Sequence, residues 1–198
     1  MSEAPAGSPE RHPIGLIVTD DLRRSRLTTF FRLILAIPHL IWVGLWGIAA
    51  VVVAIIGWFA AIFSGRLPQG MHDFLAAYTR YYTRVRAYTY LLAEPFPPFS
   101  SAGQYPVDLR IDPREEQSRA TIFLRLILAI PAFLLTYVFQ NVNTLLAILS
   151  WFYILFTGRM HEGMRNLGAW LLRYMQQTYA YSMLLTERYP SLAGGPSA

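Results

Sequence analysis

Residues 27–63 read LTTFFRLILAIPHLIWVGLWGIAAVVVAIIGWFAAIF, 37 residues in which only Arg32 and His39 can carry charge. Residues 120–156 match them, with Arg125 as the only charged group. Apolar runs of 18 residues or more argue for membrane spans. A straight helix of this length reaches about 55 Å, at about 1.5 Å per residue. The hydrocarbon core of a bilayer is about 30 Å thick. One span is therefore too short for the run, and two full spans are slightly too long for it.

The two runs belong to one unit written twice. A shift of 93 positions brings Arg32-Leu-Ile-Leu-Ala-Ile-Pro38 onto Arg125-Leu-Ile-Leu-Ala-Ile-Pro131, Gly65-Arg66 onto Gly158-Arg159, and Ala87-Tyr88 onto Ala180-Tyr181. Over residues 12–99 against 105–192, 31 of 88 positions are identical. A period this long implies a duplicated domain, because each copy holds several elements. The expected organisation is a disordered N-terminus at 1–11, a membrane repeat at 12–95, a linker at 96–104, a second repeat at 105–192 and a disordered tail at 193–198. The first eleven residues lack the basic-then-apolar pattern of a signal peptide.

Arginine placement bears on how each run meets the bilayer. One crossing per run would put Arg23, Arg24 and Arg26 on one side and Arg66, Arg80, Arg84 and Arg86 on the other. That split conflicts with the positive-inside rule. A helical hairpin per run puts the arginines on one face, with Arg32 and Arg125 just inside and able to snorkel. The tips would be Gly44–Gly47 and Gln140–Asn143. The hairpin is the preferred reading. Its competitor is an interfacial helix ending at Ile37, followed by one long span kinked near Pro38 or Pro131.

Outside the runs, Gly65 and Gly158 read as the residues just past a helix end, where positive φ is favoured. Third helices are expected at about 71–93 and 164–186. In the first, Asp73, Arg80 and Arg84 share one face, and Met71, Phe74, Leu75, Tyr78, Tyr81, Tyr82 and Val85 cover the other. The expected placement is along the membrane surface with arginine on the wet side. Residues 13–18 and 106–111 read as short strands that pair and join the repeats. The fold class expected is an all-α membrane protein with minor β.

Composition excludes some chemistry. Hydrophobic residues make up 54% of the chain and charged residues 15%, against about 25% charged in soluble domains. The net charge is +5, and every basic residue is Arg. There is no Cys, so thiolate metal sites and Cys nucleophiles are excluded. His12, His39, His72 and His161 form no metal-binding pair and none recurs in the other copy, so neither a metal nor a cofactor is expected. His39 within the apolar run suggests either a proton relay or a satisfied interfacial histidine, and the second is preferred. The runs contain no carboxylate, which argues against ion-coupled transport. A polar path would have only Gln140, Asn141, Asn143 and His39. The arginines flank apolar spans, so nucleic acid is not an expected partner.

Both copies keep four arginines: Arg26, Arg32, Arg66 and Arg80, matched by Arg119, Arg125, Arg159 and Arg173. These eight are the candidates for anionic head groups, since guanidinium matches phosphate with a bidentate fork.

The Arg-Leu-Ile-Leu-Ala-Ile-Pro motif is followed by Trp58-Phe59, Phe63-Ser-Gly-Arg66, Arg80-Tyr81, Ala87-Tyr88 and Leu91-Leu92. With the Tyr105-Pro106-Val107 strand, this combination resembles a bacterial integral-membrane family, common in actinobacteria and catalogued only as a domain of unknown function. The resemblance covers about 12–192. It implies a membrane location, tandem copies and no assigned catalytic residue; arginine placement adds the expectation of the cytoplasmic membrane with cytoplasmic termini. Copy two departs from the pattern at His161, where copy one has Pro68, and at Ala132. The expected function is non-enzymatic: a scaffold or accessory subunit engaging anionic lipids, a membrane complex or a second copy of itself. The alternatives are a membrane-shaping hairpin protein and a small transporter or channel subunit.

Overall fold

The structure, a computed structural model, describes residues 11–194; the expected disorder at 1–10 and 195–198 lies outside the described residues. The described chain forms β1 (Ile14–Val18), α1 (Arg26–Ser64), α2 (Gln69–Thr89), β2 (Val107–Ile111), α3 (Arg119–Thr157) and α4 (Glu162–Ser182). It is mostly helical, with one two-stranded sheet and the same order of elements in each repeat.

The hairpin expectation is overturned. α1 and α3 each run 39 residues without a break, and Pro38 and Pro131 lie inside them. The amides expected at a tip are satisfied within helical packing. Asn141 Nδ2 donates to Tyr137 O at 2.7 Å, one turn back. Asn143 Nδ2 donates to Gly168 O of α4 at 3.3 Å, and Gln140 Oε1 accepts from Arg86 Nη2 at 3.1 Å. Gly44 and Gly47 weaken a helix only modestly, and neither adopts positive φ.

Both long helices end as their sequences predict. Gly65 has φ 74° and Gly158 φ 72°, and their N–H groups bond Ala61 O and Ile154 O. Ser25 Oγ accepts from Thr28 N at the start of α1, the expected N-cap geometry.

The predicted strand pairing is present. β1 and β2 are antiparallel, with Leu16 opposite Leu109 and Ile14 opposite Ile111. Leu16 and Leu109 are also 93 positions apart, so the ladder maps onto itself under the repeat. A local twofold axis thus passes through the ribbon. Other paired contacts obey it. Trp58 Nε1 donates to Ile122 O at 2.9 Å and Trp151 Nε1 to Thr29 O at 3.0 Å. Arg24 N bonds Gly158 O, and Gln117 N bonds Gly65 O.

These contacts set α1 and α3 antiparallel and side by side. α2 folds back along α1, α4 along α3, and α2 touches α4. The strands exchange partners: β1 packs on α4 and β2 on α2. Arg80 and Arg84 meet the ribbon and linker from the side of α2 opposite Tyr78 and Tyr82. The ribbon therefore lies beyond α2 and α4, away from α1 and α3.

α1 and α3 carry their apolar side chains outward. The buried positions of α1 are Thr29, Arg32, Ala36, His39, Ala50, Gly57 and Ala61. Those of α3 include Arg125, Thr136, Asn143 and Ser150. Leucine, isoleucine, valine and phenylalanine fill the exposed positions, up to Phe63 at 78% and Phe156 at 79%. A soluble helix shows the opposite polarity. Each of the two helices is long and apolar enough to cross a membrane.

Candidate functional site

The eight repeated arginines divide into two sets. Arg32 and Arg125 are buried. Arg32 Nη1 donates to Tyr88 O at 3.0 Å and Ala93 O at 2.8 Å, and Arg125 Nη1 donates to Tyr181 O at 2.8 Å and Thr186 O at 3.0 Å. Each also lies over the ring of Tyr88 or Tyr181. Their Nη donors are taken by these carbonyls, by Glu94 and by Gln117, and each Nε has no partner among the described residues. Both side chains are almost wholly buried, although Arg32 borders a cleft between the long helices. Their expected lipid role is therefore corrected to a structural one.

Arg80 and Arg173 also turn inward. Arg80 Nε donates to Leu109 O at 3.3 Å, and Arg173 Nη2 to Ser191 O at 3.2 Å. The neighbouring Arg84 is buried and ion-paired with Asp108 at 2.7 Å. It also donates to the carbonyls of Ser100, Ala102 and Gly103. The polar face of α2, expected in water at the membrane surface, is thus covered by β2 and the linker. Periodicity identified the face correctly; its occupant is set by a strand some 25 residues further on.

Arg26, Arg66, Arg119 and Arg159 remain exposed. The fold gathers them in pairs. Arg26 lies against Gly158, beside Arg159, and Arg119 lies against Gly65, beside Arg66. Each pair combines the start of one long helix with the end of the other. The molecule therefore has two equivalent cationic ends, related by the twofold axis.

The residues considered for a polar path are not brought together. His39 is fully buried, with Nδ1 2.7 Å from Tyr81 Oη and its ring against Phe96 and Phe99. The histidine is thus half satisfied: Nδ1 meets a tyrosine its sequence context did not reveal, and the buried Nε2 has no hydrogen-bond partner among the described residues. Asn143 is buried against α4, while Asn141 is exposed.

Sequence reasoning missed a cleft of about 500 Å³ between α1 and α3, lined on one side by Arg86 and Tyr90 of the α2 end. Its only sequence signal was that Arg86 has no arginine in the other copy, where Tyr179 stands.

The model of a family described as a domain of unknown function, DUF4389, matches residues 26–101 and again residues 119–193. No curated protein and no solved structure matches the chain.

Proposed function

The chain belongs to the DUF4389 family, with one family domain in each repeat, and from that premise we propose a non-enzymatic membrane protein embedded in one leaflet. In this reading α1 and α3 lie flat in the outer acyl region, α2 and α4 lie above them, and the β ribbon faces water. The two arginine pairs engage anionic head groups. The protein serves as a scaffold or accessory subunit on the cytoplasmic side.

The observation that carries this reading is the relation between the twofold axis and the apolar surface. Two antiparallel helices side by side are exchanged by an axis normal to their common plane. The ribbon lies on that axis, on the opposite side from the apolar faces. Both cationic ends are then at one depth, which satisfies the preference for arginine on the cytoplasmic side.

The spanning alternative puts the axis in the membrane plane and the ribbon at the bilayer centre. Asp108, Arg110 and Asp112 are partly exposed there, and although they are paired, with Arg84 and with each other, charged groups at mid-membrane are costly. An apolar run of about 55 Å would also need a tilt of about 57° to fit 30 Å, beyond the usual range of about 0–40°.

Spin labels at Ile34, Leu45 and Ile55 test the reading by their depth in the bilayer. All three are exposed on α1. Equal depths support the flat placement; a profile that peaks at Leu45 and falls on either side rejects it.

A second reading follows from the same surface. Two long helices inserted into a single leaflet add area to that leaflet only, which favours curvature. Tubulation of liposomes at high protein density supports membrane shaping, and smooth vesicles reject it.

A further inference from the structure

The cleft between α1 and α3 carries an inference of its own. Leu33 and Leu40 form one wall, and Ile148 and Phe152 form the other. All four are exposed, so the mouth opens among the outward-facing apolar side chains. Tyr90 and Leu91, both buried, close the floor.

Arg86 stands at that floor with only neutral acceptors. Nε donates to Tyr82 Oη at 2.9 Å, Nη1 to Tyr90 Oη at 3.1 Å and Nη2 to Gln140 Oε1 at 3.1 Å. The guanidinium lies over both tyrosine rings, 5.2 and 5.4 Å from their centres. Among the described residues it has no carboxylate within 4 Å, whereas Arg24, Arg32 and Arg84 each have one. Arg125 and Arg173 lack one too, but they donate to backbone carbonyls of their own repeat. A half-buried cation in apolar surroundings is stabilised by an anion brought to it.

The site exists in one repeat only, and the difference is concerted. Arg86, Tyr82, Tyr90, Gln140 and Thr144 correspond to Tyr179, Met175, Met183, Gly47 and Val51. Five positions spread over α2, the segment after it and α3 are polar around this cleft, and four of their counterparts are apolar or glycine. Random drift scatters such changes; here they surround one cavity.

We propose that the cleft binds a single fatty acid, with its carboxylate on Arg86 and its chain running between α1 and α3 toward the apolar face. The size fits a small-ligand pocket, about 300–1,000 Å³. The guanidinium at the floor matches a carboxylate, and the apolar walls match an acyl chain. The inference rests on the proposed membrane placement in one respect: the mouth meets acyl chains when α1 and α3 lie in the bilayer.

The test is displacement of a fluorescent fatty acid from the delipidated full chain in detergent, with palmitate and hexadecanol as competitors. Palmitate is expected to bind at least tenfold more tightly than hexadecanol. Arg86→Gln should lose about tenfold for palmitate, the worth of a charged hydrogen bond, and leave hexadecanol unchanged. Ala147→Phe, which narrows the cleft, should weaken both, with circular dichroism confirming that each variant is folded. No binding by the parent chain overturns the proposal, as do equal affinities for the two competitors or an unaltered Arg86→Gln variant. A phospholipid that palmitate fails to displace also overturns it. Binding is read in detergent, so its failure is distinct from a failed depth profile in bilayers.

Discussion

Arg32 and Arg125 occupy the same place in the two repeats but reach different partners: Arg32 Nη2 meets Glu94 Oε2 at 2.8 Å, while Arg125 Nη2 meets Gln117 Oε1 at 2.6 Å. The difference begins two residues before α1 and α3. Gln117 corresponds to Arg24, which is itself buried and paired with Asp20 at 2.7 Å. Both Arg24 and Gln117 hold a leucine carbonyl, that of Leu91 or Leu184, whose residue has positive φ. A branched residue in that conformation is strained, and the buried side-chain donor beneath it helps to hold it.

Glu94 should therefore matter more than its counterpart. It accepts from Ser25 N at 2.8 Å as well as from Arg32, whereas Glu187 accepts from Ser118 N at 3.1 Å. Glu94→Gln leaves a buried guanidinium without its counter-charge, at a cost of about 3 kcal/mol. Glu187→Gln removes one cap bond, worth about 1 kcal/mol. Thermal unfolding should show Glu94→Gln lower in Tm by about 6–12 °C and Glu187→Gln by much less. Equal losses would contradict the assignment.

The two tryptophan ties between repeats should behave as one interaction used twice. Trp58→Phe and Trp151→Phe each remove one hydrogen bond to the opposite long helix, about 1 kcal/mol. They sit at opposite ends of the molecule, so their effects should add. A double variant no less stable than either single one would mean the repeats are not joined through these contacts.

His12 predicts a pH effect at the edge of the ribbon. Its Nδ1 accepts from Ile14 N at 3.1 Å, and Nε2 lies 3.3 Å from Tyr189 O. Burial, chiefly, pushes its pKa below the ordinary value, with Arg188 and Arg173 acting in the same direction. The neutral form is thus favoured by folding. Its contribution is fully present above about pH 6.5, the unfolded value, and declines as pH falls through the interval down to the folded pKa. His12→Gln should flatten that part of the stability profile. A profile identical to that of the parent would remove His12 from the account.

The exposed arginine pairs are tested by lipid retention. Arg66→Gln with Arg159→Gln takes one charge from each end, at about 1 kcal/mol per residue near an anionic surface. Retention of phosphatidylglycerol or cardiolipin should fall, and fall further as salt is added. Unchanged retention would sink the head-group role. Arg32→Gln should instead show its effect in stability.

The local features of this chain were legible in its sequence. The strands read at 13–18 and 106–111 do pair, as Ile14–Val18 with Val107–Ile111, and the glycines after each apolar run marked helix ends at Gly65 and Gly158. The expected third helices overlap Gln69–Thr89 and Glu162–Ser182. What lay beyond reach was which surface meets which. Hydropathy reports how apolar Arg32's neighbours are; it does not report that Ala93 and Glu94 return to meet it some sixty residues later. Likewise the polar face of α2 was evident, but its cover is β2, which the chain exchanges between repeats. The hairpin reading compared the length of each run with a span across the bilayer, whereas α1 and α3 are single unbroken helices through Gly44–Gly47 and Gln140–Asn143.

The measurement that bears most directly on the central claim is the sidedness of three single cysteines, at Ser64, Thr157 and Gln104. The parent chain has no Cys, and these positions avoid the positive φ of Gly65 and Gly158. An impermeant maleimide is applied to intact cells and then to inverted membranes. The account predicts that all three react in inverted membranes and none in intact cells, because both ends and the linker beside the ribbon share one side. Reaction of Ser64→Cys and Thr157→Cys from opposite sides would contradict it and place the twofold axis in the plane of the membrane.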